Sequence, residues 1–254
     1  MELLIDADYI VYKNCAAAET EIDFGDDVIL VTSNFSDAYT ATTREIAKLK
    51  DEFGAFSTIK LFFSDTKNFR KKIAPSYKGH RNRKKPCGYK RVIKKLKTEF
   101  EVIIMPELEA DDAMGIYATQ NPGNIIISPD KDMKQIPGTL YNLDEKFTIT
   151  KDSGRAWHFI QCLSGDQTDG YGGVPGIGVK RAETLFNKEG YSWNTVVNAF
   201  KSKGLTEEDA LLNARLARIL TIDDYDTEKQ KVRLWNPRAS DYINNGSVIE
   251  DEDS

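Results

Sequence analysis

The feature that most constrains this chain is an alternation: short apolar runs ending in an acid or a serine take turns with longer stretches of helical periodicity. Leu3-Leu4-Ile5-Asp6, Ile59-Lys60-Leu61-Phe62-Phe63-Ser64-Asp65, Val102-Ile103-Ile104-Met105 and Ile125-Ile126-Ile127-Ser128 are apolar at nearly every position. That is the pattern of parallel strands buried on both faces. Between them, Ser36 to Phe53 places Ala38, Thr42, Ile46, Leu49 and Phe53 near helical spacing, and Glu109 to Thr119 reads as a second helix closed by Asn121-Pro122-Gly123. The alternation predicts an α/β fold with a doubly wound, mainly parallel sheet. Asp23-Phe24-Gly25-Asp26 followed by Val28-Ile29-Leu30-Val31 predicts an inserted hairpin, and 140–150 another. The division expected is an α/β core over 1–155, a helical region over 156–240 that includes a helix opened by a Thr206 cap, and an acidic, disordered tail over 241–254.

Open sheets of this kind form their sites beyond the carboxyl ends of the strands, and acids concentrate there. Asp6 and Asp65 end two strands, Glu109, Asp111 and Asp112 follow a third, Asp130 and Asp132 follow a fourth, and Asp166 and Asp169 open a glycine-rich stretch. Any one of them reads equally well as a helix cap. Together they would not stay ionised without cations, because two carboxylates about 4 Å apart repel by roughly 4 kcal/mol at an effective dielectric of 20. Oxygen donors without His or Cys select hard ions, hence Mg²⁺ or Mn²⁺. Two such ions about 4 Å apart suit in-line displacement at a phosphodiester.

The net charge of -5 hides a polarised layout. Fourteen Lys and Arg and no acid lie between Lys67 and Lys97, leaving 21 basic and 40 acidic residues elsewhere. A solvated helical face is one reading of such a strip. Aromatic residues and glycine interleaved with the charges (Phe69, Tyr77, Gly79, Tyr89) favour polyanion binding. Arg70, Lys71, Lys72, Lys78, Arg81, Arg83, Lys84 and Lys85 are the candidate DNA contacts. Within the strip, Pro75-Ser76-Tyr77-Lys78-Gly79-His80-Arg81 sits close enough to Asp65 to fold over the acids, so Lys78 and Arg81 join Asp6 as catalytic candidates. The competing reading is backbone anchoring remote from the chemistry.

Gly173-Val174-Pro175-Gly176-Ile177-Gly178-Val179-Lys180-Arg181 has the form of a helix-hairpin-helix, expected over 165–190. Gly176 and Gly178 would admit a phosphate to the backbone amides, Lys180 and Arg181 would hold it, and the loop carbonyls offer a site for K⁺. A plain tight turn is the alternative. The spacing fits neither a P-loop nor a dinucleotide fingerprint.

Three cysteines far apart (Cys15, Cys87, Cys162) and two histidines make neither a disulfide framework nor a zinc site. The start lacks a basic leader and no apolar run is long enough to span a membrane. A cytoplasmic protein with no membrane partner is expected.

These motifs together resemble the 5′-nuclease superfamily of flap endonucleases, polymerase-associated 5′ exonucleases and phage exonucleases, in particular the gene 6 exonuclease group of T7-type phages. The residues that carry the likeness are Ile5-Asp6-Ala7-Asp8, Phe69-Arg70-Lys71, Tyr77-Lys78, Lys85-Pro86-Cys87-Gly88-Tyr89, Asp111-Asp112-Ala113-Met114-Gly115, Asp130-Lys131-Asp132 and Gly165-Asp166 with Thr168-Asp169-Gly170-Tyr171. Ala7 departs from the glycine that relatives commonly carry there. The resemblance implies a PIN-like core in which Asp65, Glu109, Asp111 and Asp112 serve one metal ion. Asp130, Asp132, Asp166 and Asp169 would serve the second, with Asp6 in or beside the first set. It implies that 67–97 forms a helical arch over the site. It further implies 5′→3′ exonuclease action on double-stranded DNA with a free 5′ end, extending to RNA-DNA hybrids and 5′ flaps, in phage replication and recombination beside replication proteins. A catalytically inactive DNA-binding module and a PIN-type single-strand ribonuclease are the other readings.

Overall fold

The computed structural model describes residues 1–54, 57–81 and 84–237. Arg83 and the acidic stretch 241–254 lie outside the described residues. The chain begins with β1 (Glu2–Asp6) and α1 (Ala7–Ala17), then a hairpin of β2 (Glu19–Asp23) and β3 (Ile29–Ser33). α2 (Phe35–Phe53) returns to β4 (Thr58–Phe62). After α3 (Arg70–Ile73) and α4 (Tyr89–Leu96) come β5 (Glu101–Ile103), α5 (Ala110–Gln120) and β6 (Ile125–Ile127), and the antiparallel pair β7 (Gly138–Tyr141) and β8 (Lys146–Ile149) completes the sheet.

The strand order is β5-β4-β1-β6-β7-β8, parallel except at the β8 edge. β1 lies between β4 and β6, and its apolar run is buried on both faces because successive side chains point to opposite sides. Leu3 and Ile5 pack with Ile10, Val11, Ile46, Leu49 and Val92 on one side. Leu4 faces Phe62, Met114, Ile126 and Leu140 on the other. Both expected hairpins are present.

Among the described residues of the basic strip, α3 and α4 are the helical parts, and 74–81 run through turns in which Lys78 takes a left-handed φ of 52°. Lys78 stays in that costly conformation because its N–H donates to the Asp169 carbonyl at 2.7 Å.

The helical region consists of α6 (Lys151–Ser164), α7 (Val179–Glu189), α8 (Trp193–Lys201) and α9 (Glu207–Ala217). A Thr150–Ser153 capping box starts α6, so the boundary expected at residue 155 falls inside a helix. Thr206 caps α9 as expected. Phe159, Leu163, Phe186, Val196, Phe200 and Trp235 form this region's core. Gln135 ties it to the sheet by donating to Gln161 at 2.7 Å and to the Ala217 carbonyl at 2.6 Å. Below α6 the chain crosses itself at Gly165 and Gly173. A Cβ at Gly165 would lie 2.1 Å from the Gly173 nitrogen, and one at Gly173 would lie 2.1 Å from the Leu163 oxygen.

Candidate active site

The carboxyl ends of β1, β4 and β6 open into a cleft of about 860 Å³, lined by Asp6, Asp65, Glu109, Asp111, Asp130 and Asp169 together with Lys78, Arg81, Lys85 and Tyr89. Each acid arrives there through a local device. Asp6 caps α1 by accepting from the Tyr9 N–H at 3.2 Å and receives the Ser128 hydroxyl at 3.0 Å. Asp65 accepts from the N–H groups of Thr66 and Glu107, and these bonds hold its carboxyl below the usual range. Glu109 is the N-cap of α5, Asp111 sits in that helix's first turn, and Asp130 caps the short 3₁₀ turn Lys131–Gln135.

The charges beside these acids divide them into two sets. Glu109 meets Lys78 at 2.5 Å, the Tyr77 hydroxyl at 3.0 Å and Arg70 at 3.3 Å. Burial alone would raise its pKa, but the two cations outweigh burial and hold it at about 2. Asp169 receives Arg81 at 2.8 Å and the Tyr77 hydroxyl at 2.8 Å, with Lys78 at 3.5 Å. Asp166 is held low by Lys131, 3.1 Å away, against the effect of burial. Asp6, Asp111, Asp130 and Asp132 form the other set. Burial, followed by neighbouring carboxylates, lifts Asp6 to about 7 and Asp111 well above the usual range. Asp130 rises as well, and Asp132 reaches about 7 although Gln161 donates to it at 2.5 Å. Among the described residues, none donates a hydrogen bond to the Asp111 carboxylate, which is left to its like-charged neighbours and Lys78.

Among the described residues no three His, Cys, Asp or Glu side chains are already drawn into a ligand shell; Lys78, Arg81 and Lys131 stand between the acids instead. The donor set still fits hard cations. It is all oxygen, it is mostly half-buried, and half of it carries proton affinities that an added positive charge would relieve.

The family follows from a comparison. A family model described as 5′-3′ exonuclease, N-terminal resolvase-like domain, matches residues 1–155. This chain belongs to the 5′-3′ exonuclease family. It is therefore a hydrolytic nuclease. The exonuclease is 29% identical to the Exodeoxyribonuclease of Enterobacteria phage T3 over 93% of each chain. It is also 29% identical to the Exonuclease of Escherichia phage T7, over 92% of this chain and 93% of that one. Its fold is similar to that of the T5 D15 protein co-crystallised with metal ions, with a TM-score of 0.65 at 16% identity, covering 85% of this chain and 88% of that one. The catalytic core of Rad2 in complex with DNA substrate gives 0.51 at 14% identity, covering 79% and 64%.

Two expected roles do not survive the geometry of this exonuclease. Arg70, expected on DNA, is 1% exposed, and Asp112, expected on a metal, is 0% exposed. They form a two-pronged ion pair at 2.6 and 2.8 Å, with Arg70 also donating to the carbonyls of Leu216 and Arg218. A phosphate cannot reach Arg70, and both Asp112 oxygens already accept guanidinium hydrogens. At the loop expected to offer a K⁺ site, the Gly176 carbonyl is already taken by Arg181, which donates to it at 2.6 Å.

Lys72 pairs with Glu107 at 2.6 Å rather than turning to the acids. Lys71 and Lys84 are exposed, and Lys85 lies over the Tyr89 ring at 4.6 Å on the cleft wall. Gly176, Gly178 and Lys180 lie in the helical region, with Gly178 as the N-cap of α7.

Several site residues were absent from the expected set. Asp8 accepts from the Tyr89 hydroxyl at 2.5 Å and the Ser64 N–H at 2.8 Å, pinning strip to sheet, and its signal was its place two residues after Asp6. Tyr77 and Lys131 stood inside motifs without a role. Gln161, in the middle of α6, offered no signal.

Proposed function

We propose that this exonuclease removes nucleotides from the 5′ ends of double-stranded DNA, and of RNA-DNA hybrids and 5′ flaps, in a reaction that depends on two Mg²⁺ or Mn²⁺ ions. The observation that supports the reading best is the cleft itself: clustered carboxylates with raised proton affinity (Asp6, Asp111 and Asp130) face a wall of cations. Asp6, Asp65, Glu109, Asp111, Asp130, Asp132, Asp166 and Asp169 are the residues that would hold the ions. When bound, the ions supply Lewis acidity toward the attacking water and the departing oxygen.

The chain's own groups do the rest. Lys78 and Arg81 are placed to exchange a carboxylate for the scissile phosphate and to stabilise its growing negative charge. Tyr77 shares one proton between Glu109 and Asp169 and so fixes the spacing of two opposed acids. Lys85 and Lys90 on the cleft rim meet the phosphodiester chain without reading its sequence. Gly178, Lys180 and the start of α7 grip the duplex farther along. The setting that fits the T3 and T7 relatives is phage replication and recombination, including primer removal, alongside replication proteins in the host cytoplasm.

A product ladder from 5′-labelled and 3′-labelled blunt, nicked, flapped and hybrid substrates tests this. Mononucleotides released from the 5′ end, silenced by EDTA and restored by Mg²⁺, are the expected result. Asp111→Asn and Asp130→Asn should each lose at least about a hundredfold in rate while still binding duplex. Release from the 3′ end, or activity indifferent to chelator, would sink the proposal.

A further inference from the structure

The β2–β3 hairpin carries a surface that the nuclease chemistry does not use. From Lys13 to Arg44 the intervening sequence has no Lys or Arg, but it contains Glu19, Glu21, Asp23, Asp26, Asp27 and Asp37. On this acidic ribbon Ile22, Phe24, Val28, Ile29, Leu30 and Val31 are 40 to 64% exposed. Among the other described residues, only Met1, Tyr9, Ile104 and Leu212 are large apolar side chains of comparable exposure.

The register opposes Ile22 to Leu30, Thr20 to Thr32, Glu21 to Val31 and Asp23 to Ile29. Side chains alternate along a strand, so Thr20, Ile22, Leu30 and Thr32 share a face without a charge, and Glu21 and Asp23 share the other with Val31 and Ile29. A lone two-stranded ribbon is marginal in water, and an apolar patch of this kind marks a contact site. The ribbon's base is fastened to the basic strip: the Cys87 N–H donates to Glu19 at 2.6 Å, and the Cys87 thiol lies 3.8 Å from the Val31 carbonyl.

We infer that the hairpin docks a protein segment that is both apolar and cationic, laid along the ribbon as an added strand or against its neutral face. The charge decides among occupants. Carboxylates along the ribbon repel a phosphodiester chain, and they repel the same hairpin on a second copy of the protein. A segment alternating aliphatic residues with Lys or Arg satisfies both the apolar face and the acids. Because the ribbon meets the strip at Cys87, such a partner sits next to the wall of the cleft.

The probe is a fluorescein-labelled decapeptide alternating valine and lysine, titrated with the full chain and followed by anisotropy. A valine-glutamate decapeptide serves as the charge control. Saturable binding of the first peptide and none of the second is expected. Ile22→Ser with Leu30→Ser should weaken binding by about tenfold and leave cleavage of a 5′-labelled duplex unchanged. Glu21→Gln with Asp23→Asn, which keeps the apolar face, should also weaken it and remove its salt dependence.

Absence of saturable binding, or undiminished binding in both variants, overturns the inference. If the serine variant alters duplex affinity or the product ladder, the ribbon belongs to DNA. If the native chain dimerises and that variant does not, the occupant is a second copy.

Discussion

Arg70 and Lys78 leave the same basic strip and both reach the acids at the start of α5, yet they end in opposite environments. Arg70 lies in the core, where Asp112 and two backbone carbonyls take its hydrogens. Lys78 is 18% exposed at the cleft wall, shared between Glu109 at 2.5 Å and Asp169 at 3.5 Å. A buried pair whose partners are fixed contributes to architecture. A half-open pair whose carboxylates also face a cleft can be exchanged for a phosphate. Residue type does not separate the two roles, and depth does.

The largest expected effect tests the sealed pair. Arg70→Met strands a buried carboxylate and should cost about 3–5 kcal/mol, read from urea denaturation. Adding Asp112→Leu should recover much of that loss. If the single variant is as stable as the native chain, the pair is not structural. Lys78→Ala lies at the other pole. It should cost less stability than Arg70→Met in the same urea denaturation and slow single-turnover cleavage by on the order of tenfold to a hundredfold. A change confined to duplex affinity would make Lys78 an anchor instead.

The smallest effect concerns pH. Asp6 has its pKa raised from 3.8 to about 7 in the folded chain. The folded state therefore binds more protons than the unfolded one across that window, and this contribution to stability is lost as pH rises from about 4 to about 7. In EDTA, Asp6→Asn should show a flatter fall of Tm with pH than the native chain over that range. Equal slopes would show that Asp6 is not the group responsible.

The same contrast explains what was legible in the sequence. Strands ending in acids were readable because apolar runs and their terminal carboxylates are local patterns, and Asp6, Asp111 and Asp130 do face one cleft. The fate of Arg70 was not readable, since it depends on carbonyls of Leu216 and Arg218 that approach only after the helical region folds onto the sheet. Asp112 was misread for the same reason: one helical residue separates an acid facing the cleft from one facing the core. The strip's charge was evident, whereas its turns were not, because the conformation of Lys78 is set by a bond to the distant Asp169 carbonyl.

The crossing at Gly165 and Gly173 bears on where the working enzyme ends. The stretch matched by the family model stops at residue 155, inside α6, whereas Asp166 and Asp169 come from the loop that this crossing shapes. A fragment trimmed to the family-model match would keep the sheet but forfeit Asp169 of the cleft and Asp166 behind it, the counterions of Arg81 and Lys131. The cleft is thus assembled from a longer stretch of chain than the family model spans.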